Sequence, residues 1–179
     1  MKILVHICCA NCAIYPVKTL REKGGDVRGF WFNPNIHPFT EYKNRLFSMK
    51  QLDVAWGLDV LYKDEYGLRD FLRNTAGKED NRCEYCYIVR LEASALAARA
   101  TGADAFTTTL LVSPYQKQGL IIETGRMLQE KYGVEFLAED FRPGFREGRS
   151  MGRDMGFYSQ KYCGCVYSEE ERYMLRDKK

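Results

Sequence analysis

The chain has 179 residues, 45% of them hydrophobic and 28% charged, with a formal net charge of +3. That length suits one domain spanning 1–179, with a core that needs no staples, and the charge is too small to mark a nucleic-acid binder on its own. No apolar run approaches the ~20 residues of a membrane span, and Ile3 to Ile7 is too short for a secretory leader, so the expected compartment is the cytoplasm, where thiols stay reduced.

In chain order, short apolar runs alternate with helical patterns, the signature of a parallel α/β layout. Lys2 to Ile7 reads as a buried strand. Ala13 to Lys23 reads as a helix closed by Gly24-Gly25, with Pro16 tolerated in its first turn. Val27 to Phe32 is a second strand, and "NPNIHPF" is an irregular loop. Thr40 is placed to cap a helix running to about Trp56, with Tyr42, Leu46, Met49 and Val54 near one face. A short strand, Leu58 to Tyr62, and a short helix, Tyr66 to Thr75, follow. The polar stretch "GKEDNRCEYC" leads into a helix from about Tyr85 to Ala100, whose alanines suit close packing. Ala105 to Thr109 is the next strand, "LLVSPYQ" a loop, Gly119 to Lys131 a helix and Val134 to Ala138 the last strand. From Glu139 the pattern becomes irregular and rich in Gly and Arg. "SEEERYMLRD" then reads as a helix, with Ser168 as cap and Glu171 completing a capping box.

The fold class expected is therefore α/β, one doubly wound parallel sheet with flanking helices and an irregular C-terminal segment carrying Cys and Arg. Ligands of such sheets bind beyond the carboxyl ends of the strands. "HICCANC" lies at the end of the first strand and "SPYQ" follows the fourth, so both fall on that edge.

The seven cysteines are grouped: Cys8, Cys9 and Cys12; Cys83 and Cys86; Cys163 and Cys165. An odd number leaves a pure disulfide framework with one over, and tight groups far apart in sequence suggest metal or redox chemistry. Three readings are open. Structural zinc prefers four ligands and CxxC knuckles, of which Cys83-x-x-Cys86 is one. A thiol–disulfide enzyme needs one CxxC at a helix start. An iron–sulfur cluster takes four thiolates from separate segments, and the other three could serve a second metal or a redox pair. Only the last uses every thiol.

From Phe141 to Lys161 five basic residues stand against two acidic ones, an excess equal to that of the whole chain. Arg142, Arg146, Arg149 and Arg153 are interleaved with aromatics, which suits phosphates and unstacked bases as well as an ordinary solvated loop. His6, on a buried strand, reads as a core histidine, and His37 as a surface loop histidine, with a proton donor or substrate contact as the alternative. Tyr85 and Tyr87 read as packing residues. Tyr115 and Gln116 lie on the functional edge and are the better candidates for a substrate pocket. Asp80, Asn81 and Arg82 are either a ligand contact or a polar turn. No "GxGxxG" and no Walker-type loop is present, so neither NAD nor ATP is expected.

"LVHICCANC", "FNPNIHPFTEYKNR", "NRCEYCYIVRL", "TTTLLVSPYQ" and "YCGCVYS", in this order along the whole chain, resemble the QueH type of epoxyqueuosine reductase. One departure is Asn11, where that family often has proline, which leaves the local loop geometry open. The resemblance implies a Rossmann-like sheet of the HUP/PP-loop type. It implies reduction of epoxyqueuosine to queuosine at the wobble position of tRNA, the last step of queuosine synthesis, without cobalamin. It implies [4Fe-4S] ligation by Cys8, Cys9, Cys83 and Cys86, a redox-active late pair, Cys163 and Cys165, and an additional iron beside the cluster. Cys12, Cys163 and Cys165 are the thiols left for that iron or for redox work. The four arginines are then candidates for gripping the anticodon stem-loop, and a ferredoxin or flavodoxin is the expected electron carrier. The alternatives are a tRNA sulfur-transfer enzyme, weakened by the missing nucleotide loop, and a zinc-stabilised RNA-binding module.

Overall fold

The computed structural model of the chain describes residues 1–174. Five strands form one wholly parallel sheet: β1 (Lys2–His6), β2 (Asp26–Trp31), β3 (Val60–Tyr62), β4 (Ala105–Thr108) and β5 (Glu135–Phe136), in the order β3-β2-β1-β4-β5. Lys2 sits opposite Asp26 and Ile3 opposite Ala105, so β1 is hydrogen-bonded on both edges. Ile3 to His6 and the whole of β4 are buried, the unbroken pattern of strands covered on both faces. The strand order reverses between β1 and β4, which opens a crevice beyond their carboxyl ends.

The helices are α1 (Ala10–Glu22), α2 (Phe39–Trp56), α3 (Leu68–Thr75), α4 (Arg82–Thr101), α5 (Gln118–Tyr132), α6 (Phe145–Asp154) and α7 (Val166–Met174). They fall into two groups, α1 with α2 and α6, and α4 with α3 and α5, as a doubly wound sheet requires. Among the described residues no helix is long and apolar enough to cross a membrane.

Several local expectations are corrected. The first helix begins at Ala10, three residues early, because Cys9 caps it, and Pro16 consequently lies inside the helix. Thr40 caps nothing; α2 starts at Phe39, with Pro38 at the cap position. Val54 is 85% exposed and lies off the buried face of α2. Ser168 is inside α7, where its hydroxyl takes the Gly164 N–H and donates to the Cys165 carbonyl. Glu171 reaches Arg82 instead of closing a capping box. Leu175, Arg176 and Asp177 of the expected final helix lie outside the described residues.

The largest correction concerns the segment after Glu139. It holds a single 3-10 turn, Arg142–Gly144, and then α6, packed along α1. Its sequence lacks an apolar stripe because the contact is made by glycines. A Cβ on Gly144 would strike the Tyr15 ring, and one on Gly152 would strike Asn11 Oδ1. Asn11, in the first turn of α1, also donates to the Tyr158 carbonyl at 2.8 Å. The departure from proline therefore adds an anchor for the late segment without disturbing the helix start, where either residue is accommodated. Gly144→Ala should destabilise the protein by about 1–3 kcal/mol, the usual cost of overpacking. Urea unfolding measures it, and an unchanged midpoint would mean that α6 is not seated on α1.

Candidate metal centre

The three thiols of HICCANC converge because the chain leaves β1 and enters α1 within two residues. Their Sγ atoms all lie within 4.8 Å of one another. The Cys8 N–H donates to Thr109 Oγ1 at 3.1 Å, and that hydroxyl donates back to Cys8 Sγ at 3.3 Å, tying the triad to the end of β4. Cys9 Sγ caps α1 by accepting the Cys12 N–H at 3.4 Å. A sulfur there faces unpaired N–H groups and the positive end of the helix dipole, which favour thiolate. Gln160 Nε2 lies 2.8 Å from Cys9 Sγ and 3.5 Å from Cys12 Sγ. Hydrogen bonds from Cys12 and Cys9 pull the Cys8 thiol well below its ordinary value. Burial pushes Cys9 up, and donation to Cys8 pushes Cys12 up.

The second group gathers at the start of α4. Cys83 and Cys86 are one turn apart, Cys83 half-buried and Cys86 buried. Cys165 is buried beside Cys86, packed with Phe71. The charges bearing on Cys86 include those of Cys163, Cys165 and Cys83. Burial pushes the Cys86 thiol up to about 12, against the pull of Arg90. Cys163 is exposed, with Gln116 Nε2 at 3.2 Å from its sulfur. All seven cysteines are free thiols.

Two buried arginines bracket the thiols. Arg90, one turn after Cys86, is 2% exposed and places Nη2 at 3.0 Å from Cys86 Sγ. Among the described residues it makes no salt bridge to a carboxylate; the ionisable groups that bear on it are the thiols of Cys86, Cys163 and Cys8 and the Tyr87 hydroxyl. A buried guanidinium without a counter-charge is costly, so this one is a built-in partner for thiolates. Because Cys8 and Cys86 both bear on it, Arg90 also links the two thiol groups. Arg45, equally buried, pairs with Glu41 at 2.7 Å and donates to the carbonyls of Cys163 at 2.8 Å and Tyr162 at 3.0 Å. Tyr158 donates its hydroxyl to the same Glu41. Tyr162 in turn donates to the His37 carbonyl at 2.6 Å, and the His37 N–H to the Gly164 carbonyl at 2.7 Å. The late cysteines thus sit on a strapped loop.

The donor set fits an iron–sulfur cluster. It consists of thiols, with helix starts and the buried Arg90 guanidinium to balance the charge of thiolate-ligated iron. Sequence reasoning found every thiol and grouped Cys12 with Cys8 and Cys9, as the fold does. It missed Arg90, Arg45 and Gln160. Only Arg90 carried a signal, being four residues beyond Cys86 on a helix.

Other candidates land elsewhere. Gln116 is at the site, held by the Tyr87 hydroxyl at 2.7 Å, but Tyr115 is 83% exposed against Phe145. Arg82 is bound to Glu171 at 2.5 Å and stacks on Tyr167, so it joins α4 to α7. Arg142 is engaged bidentately by Asp140. Arg146, Arg149 and Arg153 share the exposed side of α6, away from Gly148 and Gly152. His6 is a satisfied core residue, bonded to Thr108 Oγ1 at 2.9 Å and the Phe32 carbonyl at 3.1 Å.

His37, expected at the surface, is instead buried, its ring packed against Phe71 and Tyr66, and burial lowers both His6 and His37 to about 4. The unfolded chain protonates near 6.5, so between those values it binds protons that the folded chain does not. Stability from the two histidines is therefore full above pH 6.5 and is lost as pH falls toward 4. The urea midpoint should drop from pH 6.5 to 5, a window above the range of most carboxylates, with a slope of up to two protons. A flat midpoint would show that neither ring is held neutral.

A family model described as epoxyqueuosine reductase QueH matches residues 3–171. The epoxyqueuosine reductase QueH of Dehalococcoides mccartyi is 36% identical over 172 residues, covering 96% of this chain and 94% of the relative. That of Thermotoga maritima is 35% identical over 180 residues, covering 95% and 91%. Among solved structures, the U34-tRNA thiolase NcsA from Methanococcus maripaludis with its [4Fe-4S] cluster superposes with a TM-score of 0.59 at 12% identity. It is matched over 99% of this chain and 64% of its own length. A predicted subunit of tRNA methyltransferase from Methanocaldococcus jannaschii gives 0.55 at 13% identity, over 98% and 88%. At such identities the likeness is one of fold.

Proposed function

The chain belongs to the epoxyqueuosine reductase QueH family, and on that premise we propose that its seven thiols carry out the reduction on tRNA. The protein is an oxidoreductase that converts epoxyqueuosine to queuosine. Removing an epoxide oxygen to leave an alkene takes two electrons and two protons and releases water. The observation that carries the reading is the close triad of Cys8, Cys9 and Cys12 at the carboxyl end of β1, together with the buried Arg90, which bonds Cys86 and also bears on Cys8 and Cys163.

Cys8, Cys9, Cys83 and Cys86 would hold a [4Fe-4S] cluster, which when bound supplies electrons one at a time at low potential. Cys12, Cys163 and Cys165 remain for an additional iron or for a thiol pair that stores the second electron. The chain's own groups set the surroundings. Arg90 balances anionic charge, Thr109 and Gln160 hydrogen-bond sulfur, and the Arg45–Glu41 pair holds the Cys163 loop in place. The exposed arginines of α6 are proposed to meet the phosphates of the anticodon stem-loop, a salt-dependent contact. A ferredoxin or flavodoxin would supply electrons, and the compartment would be the cytoplasm.

The test is nucleoside analysis of epoxyqueuosine-containing tRNA incubated without oxygen with the iron-loaded protein and a low-potential reductant. Queuosine should appear in step with protein turnover. If epoxyqueuosine persists while iron and sulfide are both present, this assignment of the thiols fails.

A further inference from the structure

A cavity of about 440 Å³ lies beyond the carboxyl end of β2, between the loop after that strand, the entry to α3 and the first turns of α4. Its size is within the range of small-molecule sites. Cys86 forms part of its wall, so the cavity reaches the second thiol group. Phe32, Tyr66, Phe71 and Tyr85 supply aromatic surface. These rings are fixed by one another: Phe71 lies 6.2 Å from Tyr85, and the buried His37 ring packs 5.0 Å from Phe71 and 5.7 Å from Tyr66. The wall exists because residue 67 is glycine; a Cβ there would come within 2.8 Å of the Pro34 carbonyl oxygen and push the two loops apart.

The charged residues of the lining, Glu65 and Asp70, are both acidic. Glu65 and Asp70 line the cavity and are exposed at its mouth, where among the described residues they pair with the exposed Lys63 and Arg73. Asn35, also in the lining, is 3% exposed, and its Oδ1 has no hydrogen-bond partner among the described residues. The cavity therefore sets two carboxylates and an unpartnered amide oxygen between aromatic walls, with no basic side chain in its lining. That is the reverse of what a phosphate needs, and it excludes the nucleic-acid backbone. It suits a flat heterocycle that presents N–H groups and carries a positive charge.

We propose that this cavity receives the modified base itself, swung out of the anticodon loop, as enzymes acting on a base require. The inference rests on the reductase reading above. The base of epoxyqueuosine is a deazapurine with a guanine-like N–H edge, and a secondary ammonium joins it to the epoxide-bearing ring. Aromatic side chains stack the heterocycle, carboxylates take the N–H edge and the ammonium, and the epoxide end is directed toward Cys86. The backbone contacts of the stem-loop would then be made elsewhere on the surface.

The experiment compares two anticodon stem-loops, one carrying epoxyqueuosine and one carrying guanine at the same position, bound to iron-loaded protein without reductant. Wild-type protein should prefer the epoxyqueuosine stem-loop. Asp70→Asn and Glu65→Gln, both surface changes, should each reduce that preference by roughly tenfold, since a charged hydrogen bond is lost. Neither should weaken binding of the guanine stem-loop by a comparable factor, and Val89→Phe, which fills the cavity from α4, should erase the preference. If wild-type protein reduces epoxyqueuosine and all three variants keep the wild-type preference, the cavity is not the base site. If wild-type protein neither prefers nor reduces the modified stem-loop, the reductase reading itself fails, and this assignment with it.

Discussion

Cys83→Ser protein purified without oxygen should contain almost no iron, whereas Cys165→Ser protein should keep its iron and lose turnover. Cys83 opens α4 and is half-buried, one turn before Cys86, at the place where the helix start favours an anionic sulfur. Serine there removes the soft donor that iron–sulfur ligation needs. Cys165 is buried beside Cys86 and Phe71 and belongs to the loop held by Arg45. A hydroxyl in its place leaves the proposed ligands intact, so iron should stay. Turnover should fall by about 10²-fold or more, the usual cost of deleting a group that takes part in the chemistry. Iron and sulfide analysis, run beside the tRNA assay, separates the two roles. Loss of iron in both variants would mean that the late pair holds metal as well.

Arg45→Met should destabilise the fold by about 3–5 kcal/mol, the range seen when one partner of a buried ion pair is removed. Glu41 would be left buried without its guanidinium, and the carbonyls of Tyr162 and Cys163 would each lose a donor. Arg45→Lys keeps the charge but has no planar fork to reach Glu41 and both carbonyls together, so it should recover only part of the loss. Urea unfolding gives the magnitude. Hydrogen exchange at the His37 amide, which is bonded to the Gly164 carbonyl, should quicken in the same variants. Slow exchange at that amide in Arg45→Met would show that the loop is held by other contacts.

The sheet was legible because its strands are buried on both faces and so appear as continuous apolar runs set off by turns. All five were placed within two residues at their starts. The thiols were legible because their spacing is local and distinctive. What escaped was whatever depends on sequence-distant packing. The helix α6 carries no apolar stripe, since Gly144, Gly148 and Gly152 let it approach α1. Cys9 was read as a ligand, not as a cap, so the start of α1 was set too late. Arg45 lies well over a hundred residues from the carbonyls it holds, and Gln160 as far from the sulfurs it touches. The pairing of Arg142 with Asp140, two residues before it, is another contact that closes only in three dimensions.

The most direct test of the central claim is iron, zinc and acid-labile sulfide content, with the visible spectrum, on protein purified without oxygen. Thiols arranged as described should hold four or more irons per chain with matching sulfide, and give a brown protein. Zinc without sulfide, persisting after attempted cluster reconstitution, would contradict the account and make the cysteines structural.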